Sequence, residues 1–373
     1  MAGIFNNNKY YSLDAILSKD SIYNIIYGER SNGKTYACLE YAIKNYCSGK
    51  GQLALVRRWQ DDFKGKRGAT MFNAHVDNGL IAKYTNNEWT DVYYYSGRFY
   101  FCKYDEQDNT KRITANEPFG FAFSLSSMEH DKSTSYPNIT TIVFDEFLTR
   151  GMYLPDEFVL FMNVISTIVR HRDNVKIFML GNTVNKYCPY FSEMGLNNVK
   201  NQEIGTIDVY TYGDSKLKVA VEYCNTNEKS KKKSDMYFAF DNPKLSMITG
   251  GAWEMNLYPH CPIKYQPKDI RFIYFLIFED DVLQCEVVKH DDNVFTFIHR
   301  KTTPIKDENT DLIFSPTFDS RPNWRRKISR PTSKIEQKLY YFFKSEKVFY
   351  QDNEVGEIVR NYLLWCDTDS MKH

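Results

Sequence analysis

The stretch YGERSNGKTY, Tyr27 to Tyr36, decides how the first half of this chain is read. It holds a glycine, four further residues and Gly-Lys-Thr: Gly28, Glu29, Arg30, Ser31, Asn32, Gly33, Lys34 and Thr35. Glycines let a backbone wrap an anion with its N–H groups pointing inward, and a helix starting at the loop's end adds positive potential. At this spacing Lys34 meets the β- and γ-phosphates of a nucleoside triphosphate and the Thr35 hydroxyl coordinates Mg2+. The neighbours fit. SIYNIIYG (21–28) is a short apolar, β-branched run that reads as a buried strand. Residues 33–47 read as a helix with Ala37, Tyr41, Ile43 and Tyr46 on its apolar face, and QLALVRRW (52–59) reads as a second strand. Together they make a βαβ unit.

Further along, NITTIVFDEF (138–147) is an apolar strand ending in Asp145 and Glu146. A strand ending in two solvated acids is common. After a phosphate loop in a βαβ frame, Asp145 reads as the Mg2+-holding acid and Glu146 as the general base for the attacking water. The chain has no N-K-x-D signature, which favours ATP over GTP. FMLGNT (178–183) is another buried strand, and Asn182 at its end suits sensing of the γ-phosphate.

Residues 155–172 read as a helix with Pro155 at its first position and Arg170 and Arg172 at its end. The two arginines have equal readings. They pair with the helix's negative end, or they reach the γ-phosphate held by a neighbouring subunit. Arg30 lies inside the loop and can contact nucleotide or a neighbour, while Arg57 and Arg58 end the second strand and can face the nucleotide or DNA.

Alternating strands and helices as far as residue 200 predict an α/β domain with a mostly parallel sheet. DVYYYSGRFYFCKYDEQDN (91–109) reads as a hairpin turning at Ser96-Gly97 and inserted on that sheet. Beyond about 205 the pattern is mainly strands, then two helices at 333–346 and 353–366. This places a P-loop domain at 1–200, a linker at 201–206 and a β-rich α+β domain at 207–373.

Net charge is +1, so a nucleic-acid role would need a local basic patch. KSKKK (Lys229, Lys231, Lys232, Lys233) and RPNWRRK (Arg321, Trp324, Arg325, Arg326, Lys327) are the two best candidates. No apolar run is long enough to span a bilayer, and no secretory signal is seen at the N-terminus. The eight cysteines are scattered singly without zinc spacing, which predicts reduced thiols in a cytosolic protein.

GERSNGKT, TIVFDEF and FMLGNT in this order, followed by a β-rich half, resemble the DNA encapsidation ATPases of phi29-like tailed phages. The three motifs cover about half of the chain, and the β-rich half agrees only in size and position. The resemblance implies a P-loop NTPase of the additional-strand, catalytic-Glu type that uses ATP and Mg2+. It implies a homo-oligomeric ring, a pentamer, at the portal of a procapsid, drawing double-stranded DNA inward with a structural packaging RNA as bridge. It further implies a C-terminal domain similar to an RNase H-like nuclease that has lost its catalytic acids. Such a protein works in the host cytoplasm, attaches transiently to the procapsid and is absent from the mature virion.

The acids of the second half (Asp208, Glu222, Glu279, Asp280, Asp281, Glu286) show no converging set, so no nuclease activity is expected. Two other readings remain: a different P-loop enzyme, such as a helicase or small-molecule kinase, and a nucleic-acid-binding protein with a relict loop.

Overall fold

The computed structural model describes residues 11–368, except 106, 109, 131–134, 214–216, 225–252, 254–255 and 262. The lysine run 229–233 lies outside the described residues. The chain forms two compact units, 1–254 and 255–373.

The first unit is built on one sheet. Its strands are β1 (Tyr23–Gly28), β2 (Gln52–Arg57), β3 (Asp91–Tyr95), β4 (Arg98–Tyr104), β5 (Arg112–Thr114), β6 (Gly120–Ser124), β7 (Ile139–Asp145), β8 (Lys176–Asn182), β9 (Ile207–Tyr212) and β10 (Leu217–Tyr223). The sheet order is β3-β4-β6-β2-β7-β8-β1-β10-β9, with β5 paired to β4. From β6 to β10 every pairing is parallel, and antiparallel strands close both ends. β8 therefore sits between β1, which leads into the glycine loop, and β7, which ends in Asp145.

Strand side chains alternate between the two faces of a sheet, and the central strands bury both. Ile25, Ala54, Phe144 and Met179 face the helix Glu157–Val169 through Phe161, Val164, Ile165 and Ile168. Ile26, Leu55, Val143 and Phe178 face the other way, against Cys38, Leu39, Ala42 and Ile43 of the helix Lys34–Cys47. That helix is thus rotated from the expected face. Ala37, Tyr41 and Tyr46 pack at its margin.

Two expectations change. Residues 207–223 are strands as expected, but they do not belong to the second unit. They instead form β9 and β10, with β10 parallel to β1 from Tyr23↔Val219 to Tyr27↔Tyr223. The first unit consequently runs past residue 206, and Asp208 and Glu222 belong to its sheet. The second helix begins at Glu157 rather than Pro155. Asp156 caps it with a left-handed backbone (φ 52°), and Glu157 is buried.

The second unit holds a six-stranded sheet of β11 (Ile270–Phe278), β12 (Asp281–His290), β13 (Asn293–Arg300), β14 (Ile313–Phe314), β15 (Trp324–Arg325) and β16 (Val348–Tyr350). The order is β15-β14-β11-β12-β13-β16. β11, β12 and β13 form an antiparallel meander, and β14, β15 and β16 are added parallel at its sides. Two helices, Lys334–Lys344 and Asn353–Thr368, complete this β-rich α+β unit. Val355, Ile358, Val359 and Tyr362 of the second helix are buried with Tyr274, Leu276, Leu283 and Ile298 of the sheet.

Candidate nucleotide site

The site forms where β1, β7 and β8 end. In parallel strands these carboxyl ends lie at one edge of the sheet, the usual place for a ligand in an open α/β fold. β1 ends at Gly28, and the chain turns through 29–33 into the helix Lys34–Cys47. Gly33 caps that helix at φ 97°, a left-handed backbone that glycine adopts without strain. Gly28 is held more tightly: a Cβ there would come within 3.1 Å of the Cys224 Cβ.

The loop and the ends of β7 and β8 enclose an open cavity of about 270 Å³. Ser31, Asn32, Gly33, Lys34, Thr35 and Tyr36 line one side, and Asp145, Glu146, Gly181 and Asn182 the other. The Lys34 ammonium is buried. It donates to the Glu29 carbonyl at 2.6 Å and lies 3.4 Å from Asn182 Oδ1. Burial lowers its pKa from the usual lysine value, while Cys224, Asp145 and Glu29 act the other way. A buried ammonium satisfied mainly by neutral carbonyls suits an incoming anion.

Thr35 Oγ1 donates to Asp145 Oδ1 at 3.0 Å. A hydroxyl and a carboxylate side by side form the hard-oxygen set that suits Mg2+. The next residue, Glu146, has a left-handed backbone (φ 62°), uncommon for a residue with a side chain. Its side chain is 62% exposed and lines the cavity. Asn182 also meets the loop through its strand, because Gly28 pairs with Asn182 in the β1/β8 register.

The sequence left Arg57 and Arg58 undivided, and the fold separates them. Arg57 enters the site and grips both acids, Nη2 to Asp145 Oδ2 and Nη1 to Glu146 Oε2, each at 2.7 Å. Arg58 turns into the core, where Nε and Nη2 reach the Glu157 carboxylate at 2.7 and 2.9 Å. It also donates to the carbonyls of Phe147 at 2.7 Å and Glu146 at 3.2 Å. Arg58 therefore pins the backbone that presents Glu146.

Sequence reasoning missed His75. Its ring stacks on Tyr36 (centroids 4.2 Å apart, planes 9° apart), and its Nε2 lies 3.0 Å from the Tyr36 carbonyl. Nothing in the irregular 60–118 stretch signalled it.

The remaining arginines lie elsewhere. The helix Glu157–Val169 carries the chain from the site end of β7 back to the start of β8, so Arg170 and Arg172 sit at the opposite edge of the sheet. The structure does not bring them to the site of their own chain. Arg172 donates to the carbonyls of Ile168 at 2.7 Å and Val169 at 3.2 Å, the helix-end pairing. Arg170 is exposed, and so is Arg30 in the loop.

In the second unit two of the four cations of the RPNWRRK patch meet acids. Arg321 pairs with Asp319 and Glu308, and Arg325 with Glu336. Of the acids there, Asp281 pairs with Arg300, and Glu286 accepts from Tyr265 at 2.6 Å. Among the described residues no group of three or more His, Cys, Asp or Glu side chains could hold a metal ion. All eight cysteines are free thiols. No described helix is long and apolar enough to cross a membrane.

Comparison with known proteins finds relatives among phage DNA packaging proteins. The chain is 32% identical over 184 residues to the DNA packaging protein of Bacillus phage B103, covering 48% of this chain and 50% of that protein. It is 29% identical over 206 residues to the DNA packaging protein of Bacillus phage phi29, covering 53% and 54%. The chain thus spans about half the length of the curated relatives it matches. Its fold is shared with the bacteriophage Phi-29 viral genome packaging motor assembly, at a TM-score of 0.55 and 21% identity, over 95% of this chain and 97% of that one. Residues 5–234 match the family model of the podovirus DNA encapsidation protein (Gp16), and the chain belongs to that family.

Proposed function

We propose that this chain is the ATP-hydrolysing subunit of a motor that moves double-stranded DNA into a phage procapsid. The observation that carries the reading is the convergence of Lys34, Thr35, Asp145, Glu146 and Asn182 on one cavity, in a member of a DNA encapsidation family. Lys34 and the N–H groups of residues 29–35 bind and orient the phosphates of ATP. Thr35 and Asp145 hold Mg2+, which when bound supplies charge that offsets the phosphate oxygens. Glu146 orients a water in the cavity and accepts its proton. Asn182, beside Lys34, senses whether the terminal phosphate is present.

In a ring of identical subunits, Arg170 or Arg172, both on the edge of the sheet away from their own site, meets a neighbour's γ-phosphate. Arg30 in the exposed loop is a second contact to a neighbour. A pentameric ring on the portal, a structural packaging RNA as bridge, and work in the host cytoplasm with transient procapsid attachment complete the proposal. The second unit acts as a nucleic-acid-contacting module without nuclease activity.

The test is ATP hydrolysis with and without double-stranded DNA and procapsids. Stimulation is expected when both are present, with hydrolysis abolished by Lys34→Ala or Glu146→Gln. Failure of the purified protein to package DNA into procapsids with ATP overturns the packaging reading. ATP consumption that requires an acceptor molecule, with the phosphoryl group transferred to it, favours a kinase instead. Arg170→Ala subunits mixed with Glu146→Gln subunits should recover hydrolysis at mixed interfaces, and no recovery removes the trans role of Arg170.

A further inference from the structure

The phosphate loop is backed by rings that the nucleotide site itself does not use. Tyr27, the residue before Gly28, is fully buried, and its ring lies on the sheet face away from the helix Lys34–Cys47. Its hydroxyl donates to Gln202 Oε1 at 2.8 Å, and Gln202 Nε2 donates in turn to the Val221 carbonyl of β10 at 2.8 Å. Tyr223 ends β10, and its ring centre is 4.7 Å from that of Tyr27. A third ring closes over both. The Trp253 indole stands 5.2 Å from Tyr27, with planes 29° apart, and 6.3 Å from Tyr223.

Trp253 lies in neither a strand nor a helix and is half-buried. Ring packing seats it against Tyr27, Tyr223 and the core behind them. The rings lead directly to the loop. The Cys224 N–H donates to the Tyr27 carbonyl at 2.9 Å, and the Cys224 Cβ is the atom that a side chain at Gly28 would meet. The Gly28 carbonyl accepts from the Thr183 N–H at 3.2 Å and lies 3.5 Å from Lys34 Nζ. Tyr27, Gly28, Lys34 and the ends of β8 and β10 therefore form one connected set. Loop N–H groups and an ammonium hold a phosphate only at hydrogen-bond distance, so a small shift at Gly28 is felt in affinity.

We infer that Trp253 is a positioning residue of the nucleotide site: its indole clamps Tyr27 to Tyr223, fixes Gly28 where phosphate binding needs it, and affinity falls when the indole is withdrawn. Linkage makes the coupling reciprocal, so bound nucleotide tightens the indole on its rings. The first unit closes at residue 254, so the grip on the loop is exerted by the segment from which the chain passes to the second unit. The inference rests on the reading of the cavity as a nucleotide site and adds a control on it.

The test uses the full chain with Mg2+ and mant-labelled ATP, whose anisotropy reads binding, and unlabelled ATP for steady-state hydrolysis. Trp253→Ala should weaken binding about threefold to tenfold, the worth of an aromatic contact. KM should rise in step while kcat stays unchanged, because phosphate placement is shared by the ground and transition states. Trp253→Phe keeps a ring on Tyr27 and should restore most of the affinity. It also isolates the indole: AMP-PNP should alter the tryptophan emission of the wild-type chain and alter it less in Trp253→Phe, a reading that does not depend on the fold of the alanine variant. Unchanged binding in Trp253→Ala, a fall in kcat with KM unchanged, a phenylalanine variant as weak as the alanine one, or the same emission change in wild type and Trp253→Phe overturns the inference. A wild-type chain that binds no nucleotide overturns the nucleotide-site reading and this inference with it, whereas wild-type binding with an unaffected Trp253→Ala removes the inference alone.

Discussion

Replacing Arg58 by Met should destabilise the first unit severely, and the reason can be worked from its contacts. The guanidinium makes two bonds to Glu157 and two to the carbonyls of Glu146 and Phe147. The Glu157 side chain has no solvent exposure. Without Arg58 its charge is left with neutral donors such as the Tyr190 hydroxyl at 3.0 Å and the Leu154 N–H at 2.8 Å. Removing one partner of a buried pair costs about 3–5 kcal/mol, because the other charge stays buried. For a unit of this size that is a fall in Tm of roughly 6–20 °C. Replacing both partners, as in Arg58→Met with Glu157→Leu, removes the stranded charge and should restore most of the loss. Urea unfolding followed by fluorescence and circular dichroism measures all three variants. The double variant should still bind ATP but hydrolyse it more slowly, because the carbonyls of Glu146 and Phe147 have lost their anchor. Single substitutions costing under about 1 kcal/mol, or a double variant no better than the sum of its parts, would refute the reasoning.

Arg57→Ala should free Asp145 and Glu146 from a cation and lower the Mg2+ concentration for half-saturation by up to about fivefold. Titration with a fluorescent nucleotide reads this, and a higher Mg2+ requirement would count against it. His75 is neutral in the fold because burial lowers its pKa, and its Nδ1 is buried without a partner. As pH falls below about 6.5 the unfolded chain takes up the proton first. Stability should therefore be level above that pH and decline below it, and His75→Gln should flatten the decline in thermal melts. Gly356→Ala lies inside a helix, where alanine normally stabilises by about 1 kcal/mol. A Cβ there would run into the Tyr258 ring, so the variant should instead lose roughly 1–3 kcal/mol, seen as a lower Tm of the second unit.

Features written in neighbouring residues were legible in the sequence. The phosphate loop, the acids ending β7 and the polar end of β8 each follow an apolar strand, and all three meet at the cavity. The turn at Ser96-Gly97 likewise sits where the strand pattern breaks. Features set by distant partners were not legible. β9 and β10 read correctly as strands, but only the long-range pairing of β10 with β1 shows which sheet they join. Arg57 and Arg58 are adjacent and chemically identical, yet one meets Asp145 and the other Glu157 because neighbouring residues at a strand end turn to opposite faces. The RPNWRRK run read as a basic patch because its neutralising acids, Glu308 and Glu336, lie outside it. The helix before Arg170 hid its direction, and with it the edge of the sheet on which both arginines stand.

Gly28 has a second meaning once β10 is in place. The strand after β9 brings Cys224 against the first glycine of the loop, with its Cβ where a side chain at position 28 would grow. The two positions thus share one volume, and a larger residue at either is felt at the other. A Cys224→Val change, remote in sequence from any motif, should therefore behave as a loop mutation and lower nucleotide affinity before it unfolds anything. The signature of the fuel site is in this sense jointly written by the far end of its own domain.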